Sequence, residues 1–153
     1  MNVSGDFMSL QDLAIKALEA VSKELDPLVK NYGFDVKLRS SDAQVYTEVM
    51  GYEKGRYEIQ ITACMHPHDY PNELLVRYIE KEPGNWKYAS LEELLKLWKD
   101  GSKVTNSVFP ITTPDQLDES CKRLVKVMEI ILSNKLYKLI PQTTANISSY
   151  VKR

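Results

Sequence analysis

The stretch Tyr57-Glu58-Ile59-Gln60-Ile61-Thr62-Ala63-Cys64-Met65 decides the fold. Tyr57, Ile59, Ile61, Ala63 and Met65 fall on one set of alternate positions, and Glu58, Gln60, Thr62 and Cys64 on the other. Successive side chains of an extended chain point to opposite faces, so this is a strand with one buried face and one largely wet face. Working outward, the period stays at two from Phe34 to Glu82 and predicts strands over 34–39, 43–51, 55–65 and 73–81, rich in β-branched and aromatic residues. The polar breaks Ser40-Ser41-Asp42 and Glu53-Lys54-Gly55 suit hairpins. Consecutive strands with tight connections imply an antiparallel meander. Residues 85–89 read as either a short fifth strand or an ordered loop.

On both sides of the meander the period changes to that of a helix. Leu10, Leu13, Ala14, Ala17, Leu18, Val21, Leu25 and Leu28 form one apolar stripe, with Ser9 as the expected N-cap. Pro27 predicts a kink or short break, with Asp26 capping a restarted last turn that Gly33 closes. A second helix opens on a capping box, Ser90 and Glu93, carries Leu91, Leu94, Leu95 and Trp98, and should stop at Gly101. Residues 102–112 read as a loop, with Phe109-Pro110 tucked against the body. The third helix starts on Thr113, Pro114 and Gln116, and its stripe runs from Leu117 to Leu139 before Pro141 ends it. The expected architecture is α+β: an N-terminal helix, a four-stranded antiparallel meander, and two C-terminal helices packed on one sheet face. Residues 1–153 read as a single domain, with an ordered core of about 9–140 and a polar tail over 142–153.

Composition narrows the function. At 153 residues, 43% apolar and 27% charged, the chain can bury roughly 70% of its unfolded surface without staples. A net charge of −1 excludes whole-surface attraction to nucleic acid or membrane. Lys135, Lys138, Lys152 and Arg153 follow the last acidic residue, Glu129, and suit a helix C-terminus. No stretch approaches the ~20 apolar residues of a membrane span, and residues 1–9 lack the pattern of a signal peptide. Two cysteines, Cys64 and Cys121, do not make a disulfide framework. A soluble cytoplasmic protein is expected.

Reactive chemistry concentrates in Cys64-Met65-His66-Pro67-His68-Asp69-Tyr70-Pro71, which holds both histidines of the chain. In an extended segment Cys64, His66 and His68 would project to one side, with Asp69 beside them, and all are plausible zinc ligands. Against a metal site stand Pro67 and Pro71, which mark a strand running out into a turn, and the lack of a second Cys/His cluster. His66 or His68 could serve as a base oriented by Asp69. The chain has no nucleophile elbow, no glycine-rich phosphate loop and no helix-borne H-E-x-x-H. We therefore assign no catalytic residue, metal ligand or cofactor from sequence. The wet sheet face is the stronger candidate. Six of the nine tyrosines fall between Tyr46 and Tyr88, with Trp86 among them, and tyrosine favours interface centres. Tyr46, Glu48 and Met50 share a face in the expected register. The binding residues read from sequence are Tyr46, Glu48, His66, His68, Asp69 and Tyr70.

The segments LVKNYGF (28–34), YEIQITACMHP (57–67), NELLVRYIEK (72–81) and ITTPDQLDESCKRLVKVMEIIL (111–132), taken in that order, resemble small bacterial α+β proteins of the polymorphic-toxin immunity type. The resemblance spans about residues 9–140 and is one of element order; it carries no site residues with it. It implies a non-enzymatic cytoplasmic protein that binds and blocks a protein partner, a toxin or effector. The alternative is a small His- or metal-dependent enzyme, or a small-ligand sequestering protein, centred on His66, His68 and Asp69.

Overall fold

In the computed structural model, which describes residues 10–42, 47–64, 72–104 and 106–140, the chain runs α1 (Leu10–Asn31), β1 (Asp35–Asp42), β2 (Thr47–Lys54), β3 (Tyr57–Cys64), β4 (Glu73–Glu80), β5 (Lys87–Ser90), α2 (Leu91–Leu97), β6 (Phe109–Pro110) and α3 (Pro114–Ser133). Short 3-10 turns occupy Gly101–Lys103 and Leu136–Lys138. The α+β class and antiparallel sheet are as expected, but the sheet has six strands, not four. Its order is β1-β2-β3-β4-β5, with β6 also against β4. β5 is four residues long and β6 two, too short for alternation to establish a period from sequence.

The register lines up the buried face. Met50 stands opposite Ile61, and Ile61 opposite Val76; Tyr52, Ile59, Tyr78 and Ala89 form the next row. These side chains pack with Ala14, Leu18, Val21, Leu25 and Val29 of α1 and with Leu124, Met128, Ile131 and Leu132 of α3 in one cluster. Each large aliphatic side chain so buried contributes on the order of 1.5–3 kcal/mol of transfer free energy. The β2–β3 connection is a two-residue hairpin, Lys54 pairing with Tyr57. Gly55 takes φ +60 in it, a left-handed value that glycine reaches without Cβ strain.

The expected break at Pro27 does not occur: α1 continues through it. Pro27 is exposed, so the carbonyl one turn earlier, whose helical donor it removes, lies on the solvent side. Leu25 and Val29 on either side are fully buried and hold both halves on one axis. Asp26 does not cap a restart; its carboxylate accepts a 2.7 Å hydrogen bond from Tyr52 Oη. The helix closes as expected, with Gly33 at φ +85 and the Phe34 N–H donating to the Val29 carbonyl at 2.9 Å.

Both predicted capping boxes form, at Ser90/Glu93 and at Thr113/Gln116. The helices end earlier than predicted. α2 stops at Leu97 rather than Gly101. α3 stops at Ser133, because Lys135 turns left-handed at φ 54. The chain then folds back so that Leu136 and Tyr137 enter the core, while Leu139 is exposed. Tyr137 meets Phe34 edge-on at 5.0 Å between ring centres. The expected cap Ser9 and the polar tail 142–153 lie outside the described residues. No described helix is long and apolar enough to cross a membrane.

Candidate functional site

The sheet face away from the core cluster is built by the second set of alternate residues. Across β2, β3, β4 and β5 its rows are Glu53, Glu58, Ile79, Tyr88 and then Gly51, Gln60, Arg77, Ser90; a further row is Val49, Thr62, Leu75. The buried apolar residues described in α1, α2 and α3 belong to the cluster on the opposite side.

One end of this face is held by an ion network. Glu58 is only 3% exposed and is paired with Lys81 and, at 3.3 Å, with Lys37. Glu53 pairs with Lys81 at 2.6 Å and with Lys37 at 3.0 Å, and Gln60 Nε2 donates to Glu58 at 2.6 Å. Burial alone would raise the Glu58 carboxyl; hydrogen bonds from Lys81, Gln60 and Lys37 outweigh it and hold it below the ordinary glutamate value. Burial would likewise lower the Lys81 ammonium, but Glu53 and Glu58 hold it above its ordinary value.

Over this network stands an aromatic group. Lys81 Nζ lies 5.5 Å from the centre of the Trp86 ring, and the Arg77 guanidinium lies 5.1 Å from that of Tyr88. Trp86 is 50% exposed and Leu75 44%. Trp, Tyr and Arg are the residues most often found as energetic anchors in protein interfaces. Here β4 and β5 fix the backbones of Arg77 and Tyr88, Trp86 stands in the connection just before β5, and cation–π contacts restrain the side chains.

The binding residues read from sequence fare differently. Glu48 does share a face with Met50, but that face is the one the helices cover. Glu48, opposite Ala63, is 5% exposed and Met50 sits in the core, so they do not form an open contact surface. Tyr46, His66, His68, Asp69 and Tyr70 lie outside the described residues. Among the described residues no cluster of three or more His, Cys, Asp or Glu is placed to hold a metal ion. Arg77, Tyr88 and the Lys37–Glu53–Glu58–Lys81 network were missed in the sequence. The available signal is Glu58, a charge between Tyr57 and Ile59 in an otherwise apolar-alternating strand, whose partners only strand register could name.

Two other places bear on chemistry. A groove of about 650 Å³ on the outside of the α1–α3 pair has a floor of Ala20, Leu117, Cys121 and Val125 and a charged rim of Lys23, Glu24, Asp118, Lys122 and Lys126. Burial, with the charges of Asp118 and Glu24, pushes the Cys121 thiol up to about 11, which keeps it protonated and a poor nucleophile at neutral pH. At the far end of the core face, buried Glu80 is raised by burial and by its hydrogen bond with Glu82. Arg56 pairs with Glu80 at 3.5 Å and Lys87 with Glu82 at 3.6 Å, so cations bracket the two carboxyl groups in a structural network.

The architecture thus defines an α+β protein with one sheet face covered by helices and the other presenting a Trp-Tyr-Arg group. The chain matches no family model, no curated protein and no solved structure.

Proposed function

We propose that this chain is a non-enzymatic binding protein of the immunity or inhibitor type, which occludes a protein partner, a toxin or effector, in the cytoplasm. The carrying observation is the grouping of Trp86, Tyr88, Arg77 and Leu75 on a sheet face that the described helices leave uncovered. Exposed apolar and aromatic area at fixed geometry is the signature of a contact surface. The segment His66–Tyr70 follows directly on β3 in sequence and is proposed to extend the contact. No cofactor or metal takes part in this reading.

The test is purification of the tagged protein from its native cell. The wild type and a Lys23→Glu control on the helix side should retain a stoichiometric protein partner, and Trp86→Ala and Arg77→Glu should lose it. Expression of that partner alone should arrest growth, and co-expression of the wild-type chain should relieve the arrest. Because Trp86 is half exposed, Trp86→Ala should cost no more than about 2–3 kcal/mol of folding stability, and urea unfolding of the purified variant separates lost binding from unfolding. A chain that purifies without a partner and turns over a small substrate would overturn the proposal.

A further inference from the structure

β4 changes neighbours along its outer edge. β5 pairs with Arg77–Glu80 and β6 with Glu73–Leu74, so Leu75 and Val76 lie between them without a ladder partner on that side. Parity shows where their backbone groups point. The Ile111 N–H donates to the Asn72 carbonyl on the outer edge at 2.9 Å, and the Lys81 N–H donates to the Arg56 carbonyl on the β3 side at 2.7 Å. Even-numbered residues of β4 therefore direct their backbone groups outward, and the C=O of Val76 faces the gap.

A notch of about 250 Å³ opens at this gap; its lining includes Leu75, Val76, Val108 and Phe109 together with Glu73 and Glu92, whose charges act on each other. That is below the ~300–1,000 Å³ of sites for small molecules and suits a single side chain. Leu75 and Val108 are half exposed and offer an apolar wall. Burial, and then the like charge of Glu92, raises the Glu73 carboxyl above its ordinary value. Neither carboxylate has an ion-pair partner among the described residues. The notch is continuous with the uncovered sheet face through Leu75, which stands opposite Thr62 in it. Its far wall is fixed: Arg123 of α3 donates to the Val108 carbonyl at 2.8 Å and lies 5.2 Å from the Phe109 ring centre.

We propose that this notch is the specificity pocket of the binding surface and takes one arginine side chain of the protein partner. The aliphatic stem lies against Leu75 and Val108, and the guanidinium sits between Glu73 and Glu92 with a donor left for the Val76 carbonyl. Arginine fits better than lysine because its planar head carries several fixed donors for acceptors on opposite walls. The inference rests on the reading of a protein partner, and it makes the partner's contact region basic.

The notch can be tested without the partner. Isotope-labelled protein is titrated with N-acetyl-arginine methylamide and followed by amide NMR. Saturable shifts at Leu75, Val76, Val108 and Glu92 are expected, with roughly tenfold weaker binding in Glu73→Gln/Glu92→Gln and none with the uncharged citrulline analogue. That double variant should melt close to the wild type, the lost like-charge repulsion offsetting the loss of Glu92 from the first turn of α2. No shift, an equal response to citrulline, or an equal response to the lysine analogue overturns the assignment. With the purified partner, an unchanged affinity in the double variant alongside a loss in Trp86→Ala overturns the notch while leaving the protein-binding reading intact. If no partner is retained at all, that broader reading fails, and the arginine titration still judges the notch.

Discussion

The phenol of Tyr52 donates a 2.7 Å hydrogen bond to the carboxylate of Asp26, tying the second strand to the helical turn just before Pro27. Tyr52 is fully buried, so the bond lies where solvent competes poorly. Tyr52→Phe keeps the ring and deletes the donor to a carboxylate. It should lower the stability by about 1.5–3 kcal/mol, read as a shift in urea midpoint at constant slope. A loss below 0.5 kcal/mol would show that the bond does not hold α1 on the sheet.

The Glu58–Lys81 pair sets a pH dependence. Folding holds the Glu58 carboxyl below its ordinary value, so its contribution to stability is present at neutral pH. That contribution is lost as pH falls from the ordinary glutamate range through the lower folded value. The difference in stability between wild type and Glu58→Gln should therefore shrink from pH 7 to pH 3, measured by denaturant titration at each pH. Lys81→Met leaves a nearly buried carboxylate short of its main partner and should cost about 3 kcal/mol at pH 7. The double variant Glu58→Gln/Lys81→Met should recover much of that.

Gly101 is required by a close approach. A Cβ there would lie 1.7 Å from the carbonyl oxygen of Leu95 and 2.7 Å from its carbon. Both are backbone atoms and cannot rotate away. Gly101→Ala should cost about 2–4 kcal/mol, measured by thermal or urea unfolding, whereas Gly84→Ala, in open space at φ +74, should cost only about 1 kcal/mol.

The thiols should be inert in the folded protein. Cys64 and Cys121 are both buried and unpaired; burial raises each, Cys121 to about 11. Alkylation by iodoacetamide at pH 8 should run roughly a hundredfold slower than in urea, followed by intact mass. Rapid labelling of either would contradict the packing described for it.

Much of the local structure was written in neighbouring residues. The alternation of Ile59, Ile61 and Ala63, the boxes Ser90/Glu93 and Thr113/Gln116, and the Gly33 closure all depend on contacts within a few residues, and such short-range preferences are legible without a fold. The effect of Pro27 depends on which side of α1 faces solvent, which neighbouring residues do not specify. Gly101 is required not to stop α2 but by the approach of the Leu95 carbonyl, a contact that neighbouring residues do not reveal.

The chain by itself determined the element types, the hairpin order and the two faces of the central strand, since these follow from periods of two and 3.6 residues and from cap chemistry. Only the tertiary structure decided which face the helices cover, and so why Glu48 is buried while Arg77 is open. It also decided that Phe109-Pro110 completes the sheet beside Leu74 and leaves a notch between Glu73 and Glu92. These facts arise from register between segments far apart in sequence. A shift of one residue would send every side chain of a strand to the other face, and no local preference in this chain specifies that choice.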